Sequence, residues 1–369
     1  MVRHVHHERN HMEAIRPEPT EGLNQNKVSS SAKILIVGPS WVGDMVMAQS
    51  LFISLKNSFP GCRIDVLAPA WSLPLLIRMP EVSKAIVMPL QHGQFGLMAR
   101  IKLGRQLRPG HYDQAIVLPN SWKSALIPFF ANIPVRTGYR GECRWGLLND
   151  VRKLEKQVLK MTVQRFVALG LPKNAPGLPD YQHPKLSADP SSQEVVIQKF
   201  GLTLAEKVLA LCPGAEYGPS KRWPADYFAK VAQAKIQQGW QVWLLGSAKD
   251  KESSEAINQL TKQQCRDFIG QTSLAEAVDL MSLADMVVAN DSGLMHLAAA
   301  LDKQVIAIYG STPPGFAPPL CKGAQAISLN LACSPCRKRV CPLYPVGHPD
   351  HTQCLTGIKP ERILELIGD

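Results

Sequence analysis

The residues whose types and spacing suit chemistry sit in glycine-bearing turns that join apolar runs to helical ones. The clearest stretch runs from Asp285 to Leu301 and reads DMVVANDSGLMHLAAAL. Its apolar start reads as a buried strand, and Leu294, Leu297, Ala298 and Leu301 repeat at helical intervals. Asn290-Asp291-Ser292-Gly293 separates the two. Ser292 or Asp291 is expected to cap the new helix, and Gly293 to open its first N–H groups to an anion such as a phosphate. His296 would face the same ligand. An ordinary capped helix after a parallel strand has the same spacing, so the pattern alone leaves both readings open.

Gly38-x-x-x-x-Gly43-Asp44 also ends a strand and opens a helix, but it lacks both the dinucleotide fingerprint and the Lys-Ser or Lys-Thr of a phosphate-binding loop. Its distinctive member is Asp44. A carboxylate near a helix N-terminus is expected to keep a near-ordinary pKa, to be ionised at pH 7, and so to be able to accept a proton. A long Gly- and Pro-rich loop carries Lys221 and Arg222, a point charge and a fork suited to a diphosphate. The turns Gly246-Ser-Ala-Lys-Asp250 and Gly310-Ser-Thr-Pro-Pro314 end two further strands on the same predicted edge; each alone is a common turn. Asn120, Lys123, Arg136, Arg140, Arg144 and Arg152 gather polar and basic groups in the first half, where together they could hold an anionic acceptor, although a solvated basic face accounts better for any one of them alone. Near the C-terminus, Cys333-x2-Cys336-x4-Cys341-x12-Cys354, with His348 and His351 in the last gap, has the density of a structural zinc site. A plain reduced cysteine loop fits that spacing as well as a metal site does, because its second half is irregular, and redox or cluster chemistry is the lesser alternative.

These loops must be positioned by regular elements. Apolar runs at 33–37, 63–67, 85–88 and 114–118 alternate with helical patterns at 45–56, 73–78, 97–107 and 123–130. A helical stretch at 156–169 follows. A second series begins with a strand at 207–212 and continues with a helix at 225–237, a strand at 241–245 and helices at 250–262 and 274–283. It ends with the strand at 286–289, its helix, and a strand at 304–309. Such alternation implies parallel sheets covered on both faces, with ligands outside the carboxyl ends of the strands. The expected organisation is an extension at 1–32, a first α/β domain at 33–172 and a Pro-rich linker at 173–192. A second α/β domain at 193–357 contains the Cys-rich segment 333–354, and a final helix spans 358–369. The two domains would face each other across a cleft. The extension carries His4, His6, His7 and His11 and has no apolar periodicity, so it is expected to be disordered.

The chain has 369 residues, enough for two cores. Lys and Arg exceed Asp and Glu, 41 against 30, which favours an acidic partner. Nucleic acid is the least favoured, because aromatic residues are only 7% and no nucleic-acid module is present. Anionic membrane surfaces and phosphorylated substrates remain. No signal-peptide pattern and no run of about eighteen apolar residues occurs, so a cytosolic chain is expected.

Six stretches carry a resemblance: KILIVGPSWVGDM from Lys33, LPNSWKSA from Leu118, RTGYRGE from Arg136, GLLNDV from Gly146, CPGAEYGPSKRWP from Cys212 and NDSGLMH from Asn290. Together they closely resemble the lipopolysaccharide ADP-heptose heptosyltransferase II family. The resemblance implies the glycosyltransferase-B fold, two Rossmann-like parallel-sheet domains with the donor in the C-terminal one and the acceptor in the N-terminal one. It implies inverting transfer of L-glycero-D-manno-heptose from ADP-heptose to the first heptose of the lipopolysaccharide inner core. That would place the chain in the cytoplasm of a Gram-negative cell, peripheral on the inner face of the inner membrane, touching it through basic surface. By motif match, Asp44 falls at the family's catalytic base and Lys221 at its donor-phosphate lysine. Asp291, Ser292, Gly293 and His296 fall at its donor-binding turn, and Glu216, Tyr217 and Ser247 on donor loops. Thr272 falls at an adenine-side contact, and an acidic ribose contact falls close to Lys251 and Glu252. No metal is expected to be needed for the transfer. Transfer to an acceptor lacking that first heptose, epimerisation of a nucleotide sugar, and a non-catalytic membrane scaffold are the competing readings.

Overall fold

A computed structural model describes residues 31–90 and 93–368. The histidine-rich extension therefore lies outside the described residues except at its end. The first series forms β1 (Lys33–Val37), α1 (Val42–Ser58), β2 (Arg63–Pro69), α2 (Leu73–Leu76), β3 (Val82–Met88), α3 (Leu97–Leu107), β4 (Gln114–Val117), α4 (Trp122–Phe130), β5 (Val135–Tyr139), β6 (Asp150–Arg152) and α5 (Thr162–Gly170). Its strands pair in the order β3-β2-β1-β4-β5-β6, every pair parallel. Ile34 to Val37 of β1 are buried on both faces, as a central parallel strand requires.

The second series forms α6 (Pro190–Phe200), β7 (Val208–Cys212), α7 (Ala225–Gln237), β8 (Gln241–Leu244), α8 (Lys251–Leu260), β9 (Arg266–Asp267), α9 (Leu274–Leu283), β10 (Met286–Asn290), α10 (Gly293–Ala300), β11 (Gln304–Ile308), β12 (Ala324–Ile327), α11 (Gln353–Thr356) and α12 (Pro360–Ile367). Its order is β12-β11-β10-β7-β8-β9, again all parallel. The two sheets thus share one winding. Each starts centrally, runs to one edge, then returns and continues on the other side. The direction reverses between β1 and β4 in the first sheet and between β7 and β10 in the second, and a crevice opens at each reversal.

Several elements differ from the sequence expectation. Helix α5 starts at Thr162 rather than near 156, because the Gln164 side chain accepts the Met161 N–H and fixes the start there. Helix α6 begins inside the stretch assigned to the linker, with Asp189 accepting the Ser192 N–H and Pro190 at its first position. Strands β5, β6, β9 and β12 were not expected; β6 and β9 are too short to show a period, and β12 sits half-exposed at an edge.

The chain between the sheets is pinned rather than loose. Gln49, wholly buried on α1, donates to Lys185 O and accepts Lys185 N–H, and Ser50 Oγ donates to Gln182 O. Leu186 N–H donates to Ala300 O at the end of α10. The linker therefore runs along the groove where α1 meets α10. Below it, Arg78 of the first half and Asp279 on α9 form a buried ion pair at 2.6 Å, with Arg78 also donating to Ser187 O. Burial raises the Asp279 carboxyl above its ordinary pKa and Arg78 offsets only part of that. The pair therefore ties the halves together more than it adds net stability.

Candidate active site

Helices α1 and α10 each follow a central strand at a reversal point, and their N-termini meet. Two glycines allow this. A Cβ on Gly43 would stand 2.5 Å from His296 Cδ2, and one on Gly293 would stand 2.7 Å from Val42 Cβ. Neither distance is possible for a real side chain, so only glycine permits the two helix ends to close on each other.

Around that seam lies a cavity of about 690 Å3, within the range of sites that enclose a small organic ligand. One wall belongs to the first half: Ser40, Trp41, Val42, Gly43, Asp44 and Trp71. The opposite wall carries Glu216, Tyr217, Lys221, Ser247, Asp291, Ser292, Gly293 and His296. The structure thus brings both expected catalytic residues and every expected donor-side residue but one to a single cavity. Thr272, in the turn before α9, is not among its walls.

Asp44 occupies the first turn of α1, as expected, but its carboxyl does not keep an ordinary pKa. Enclosure pushes it up to about 6, against the lowering effect of Lys221 and with a further push from Asp291. Desolvation by the facing domain outweighs the helix N-terminus, a term the sequence could not supply. At pH 7 the group is still mostly ionised, and its pKa now lies closer to working pH, where a general base is most effective.

Asp291 does not cap α10. Its Oδ2 accepts from Lys221 Nζ at 2.6 Å and from the Thr312 hydroxyl. Ser292 stands at the N-cap position without a capping bond, and its buried Oγ has no hydrogen-bond partner among the described residues. The expected cap is therefore an unused hydroxyl beside open helix N–H groups, an arrangement suited to an anion. His296 is buried beside Gly43. Burial pushes its pKa down to about 4, with Asp291 opposing and Lys221 adding to the shift, so the imidazole is neutral at pH 7.

Asn290 fixes the two loops to each other: it accepts Trp223 N–H and donates to Pro213 O. Lys221 lies between those anchor points, with its ammonium 4.9 Å from the Tyr217 ring centroid. Arg222 turns away and donates to Ala215 O. Glu216 pairs with Lys249 at 2.5 Å on exposed surface. Ser247 is held by Asp250, which accepts both its N–H and its hydroxyl.

Asp250 and Thr312 lie in turns the sequence singled out but received no role there, and Phe316 and Arg337 were missed; all four line the cavity. Asp250 is the acidic residue that reaches the wall, whereas the neighbouring Lys251 and Glu252 are exposed at the start of α8. The Ser247-x-x-Asp250 capping pattern was the available signal. Arg337 gave none beyond its basic neighbours.

The expected acceptor residues divide. Arg144 is buried and donates to Pro119 O, Tyr139 O and Asn120 Oδ1. Arg136 donates to Leu147 O and Ile133 O, and Arg152 pairs with Asp150 and donates to Ala168 O and Leu171 O. These three hold loop carbonyls together. Arg140 instead lies over the exposed Trp145 ring at 5.3 Å beside a cavity of about 190 Å3, and Lys123 is half-buried with its ammonium donating to Gln94 O.

The four clustered cysteines also converge. Cys333, Cys336, Cys341 and Cys354 line one cavity of about 30 Å3, and each is a free thiol. Burial and the neighbouring thiols Cys336, Cys333 and Cys341 push Cys354 up to about 11. At Cys341 burial raises the pKa, but the N–H groups of Thr352, Tyr344 and Leu343 outweigh it and hold the thiol below its usual value. His348 and His351 serve their own turn: His348 Nδ1 accepts Asp350 N–H, and His351 Nδ1 meets Tyr344 O.

Among the described residues, no helix is long and apolar enough to cross a membrane.

Comparison with known proteins agrees with this geometry. Residues 100–346 match the model of glycosyltransferase family 9 (heptosyltransferase). The lipopolysaccharide heptosyltransferase 2 of Salmonella typhimurium is 47% identical over 90% of this chain and 97% of its own length. The solved structure of the E. coli ADP-heptose lps heptosyltransferase II is 43% identical, covers 91% of this chain and 97% of its own, and superposes with a TM-score of 0.79. The lipopolysaccharide heptosyltransferase 1 of Pseudomonas aeruginosa is more distant, at 25% identity over 90% of this chain and 96% of its own. The paired six-stranded sheets and this match bear out the expected glycosyltransferase-B fold. The chain is a glycosyltransferase and belongs to glycosyltransferase family 9, the heptosyltransferases.

Proposed function

We propose that the chain transfers L-glycero-D-manno-heptose from ADP-heptose to the first heptose of a lipopolysaccharide inner core, with inversion at the anomeric carbon. The observation that carries this reading is the two-walled cavity. Asp44 stands on one wall, and Lys221, the unused Ser292 hydroxyl and the N-terminus of α10 stand on the other. The type II acceptor is favoured over the type I acceptor because the type 2 relative is far closer in sequence than the type 1 relative.

In the reaction, the Asp44 carboxylate takes the proton of the acceptor hydroxyl as its oxygen attacks the anomeric carbon. The bond to the departing ADP breaks on the opposite face, which inverts the centre. Lys221, Arg337 and the Ser292 and Gly293 amides take up the charge growing on the diphosphate. Neutral His296 backs the seam without adding charge near the base. Asp250, near Ser247, is placed to receive the ribose. Arg140, Lys123 and Asn120 face the acceptor side, with Arg136 and Arg144 shaping it through their carbonyl bonds. The exposed pairing of Arg140 with Trp145, with the exposed Trp122 on the same half, suits an anionic lipid surface at the inner face of the inner membrane.

The test is incubation of purified protein with ADP-heptose and heptosyl-Kdo2-lipid A, reading ADP release and product mass. ADP release with an acceptor gaining one heptose is expected. Turnover only with an acceptor lacking the first heptose would assign the type I reaction, and a product that keeps its nucleotide would assign epimerisation.

A further inference from the structure

We propose that Cys333, Cys336, Cys341 and Cys354 bind one thiolate-preferring divalent metal ion, zinc in the first place, and that this ion holds Arg337 at the donor cavity. The four side chains face one space of about 30 Å3. That volume admits a single ion or water and no organic ligand. Its other walls include Pro342, Leu343 and Tyr344. A donor set of four sulfurs selects zinc or ferrous iron over magnesium or calcium. Neither nearby histidine lines this space: His348 Nδ1 accepts Asp350 N–H and His351 Nδ1 meets Tyr344 O, so the set does not depend on them.

Among the described residues, no group of three or more His, Cys, Asp or Glu side chains already stands in metal-holding geometry. A tetrahedral site with Zn–S near ~2.3 Å needs its sulfurs roughly 3.8 Å apart. The cysteines lie in turns and at the first turn of the short α11, and ion binding therefore requires side-chain rotation and small loop shifts to bring the sulfurs to that spacing. The segment also needs a clamp. It forms no strand between β12 and α11, and Val340, Leu343 and Val346 are 53%, 57% and 84% exposed, so it has little apolar core of its own. An ion binding four side chains contributes folding free energy where packing does not.

The segment between Cys336 and Cys341 is built into the donor side. Arg337 lines the large cavity, its N–H donates to Ser311 O, and its O accepts the Tyr217 hydroxyl. Ser220, next to Lys221, donates its hydroxyl to Lys338 O and its N–H to Arg339 O. Gly218, at φ 149°, leaves room for Arg339 O, which a Cβ would meet at 2.7 Å. Loss of the ion would therefore loosen Arg337 and the loop of Lys221 together. This consequence rests on the proposed transferase reading; the metal site itself does not.

The test measures metal on the full chain, purified without an added tag, by plasma mass spectrometry. About one zinc or iron per chain is expected, and cobalt exchanged into the site should give thiolate-to-cobalt charge-transfer absorption. The Cys336→Ser/Cys354→Ser variant should lose the metal, whereas replacing His4, His6, His7 and His11 with Ala should retain it. Substoichiometric metal in the wild type, retention in the cysteine variant, or loss in the histidine variant would overturn the site. If the cysteine variant does not fold, absence of the cobalt–thiolate band in the wild type overturns it instead. For the consequence, Arg337→Ala should keep the metal and raise the donor KM about tenfold or more with a smaller change in kcat. An unchanged donor KM would overturn the link to Arg337 and leave both the site and the transferase reading standing.

Discussion

The titration of Asp44 is the most exposed part of the mechanism, and the structure sets its magnitude. With the carboxyl pushed up to about 6 by enclosure, it is roughly nine-tenths ionised at pH 7 and about one-tenth at pH 5. If the ionised form is the base, kcat/KM falls roughly tenfold between those values, along a single limb centred near 6. His296, at about 4, remains neutral across most of that range and adds no limb above pH 5. The neighbours fix the direction of two further shifts. Lys221 lowers the Asp44 pKa, so Lys221→Met should move the limb to higher pH, and the unpaired Asp291 it leaves pushes the same way. Asp291 raises it, so Asp291→Asn should move the limb to lower pH. The assay is initial-rate ADP release from pH 4.5 to 8 at subsaturating donor and acceptor. A limb near 4, a limb that survives in Asp44→Asn, or shifts of the opposite sign in the two neighbours would refute the assignment of the base and the account of its pKa.

Other expectations follow from the same contacts. Gly43→Ala puts a Cβ 2.5 Å from the buried His296 ring and should force the two helix ends apart, lowering kcat/KM about 10²-fold with circular dichroism unchanged; activity within a few-fold of wild type would contradict the seam. Arg78→Ala leaves Asp279 buried and unpaired between the halves, and should cost about 3–5 kcal/mol in chemical denaturation; a cost below ~1 kcal/mol would show that the pair does not tie them. Ser292→Ala removes a hydroxyl that has no partner among the described residues, so stability should stay within about 0.5 kcal/mol while ADP affinity drops about tenfold; a loss of stability without a change in affinity would reverse that reading.

Much of the fold was legible because short apolar runs alternate with helical stretches along the chain. The bounds of α3, α7 and α9 match the sequence expectation at both ends. What stayed hidden has physical reasons. Strand β9 has two residues and β6 three, too few for any period, and α6 has only Val196 buried among its residues, so its pattern reads as polar linker. At the site, the glycine turns and Asp44 were visible as residue types, but their environment was not. Asp44 rises because a second domain closes over it, and Asp291 leaves its capping role because Lys221 arrives from a loop far away in the chain. Arg136 and Arg144 look like anion binders in sequence and prove to be bound to carbonyls, since a long guanidinium meets whichever unsatisfied acceptors the fold places near it. Arg337 reaches the cavity only through a loop whose path no periodicity describes.

The central claim is that donor holding and proton removal sit on opposite walls of one cavity. Asp44→Asn separates them, because it removes the base while leaving Lys221, Ser292 and the N-terminus of α10 in place. ADP-heptose affinity by calorimetry and single-turnover transfer to heptosyl-Kdo2-lipid A should be measured on the same preparation. The account predicts donor affinity within a few-fold of wild type and transfer slowed by at least ~10²-fold. Transfer within tenfold of wild type would contradict it.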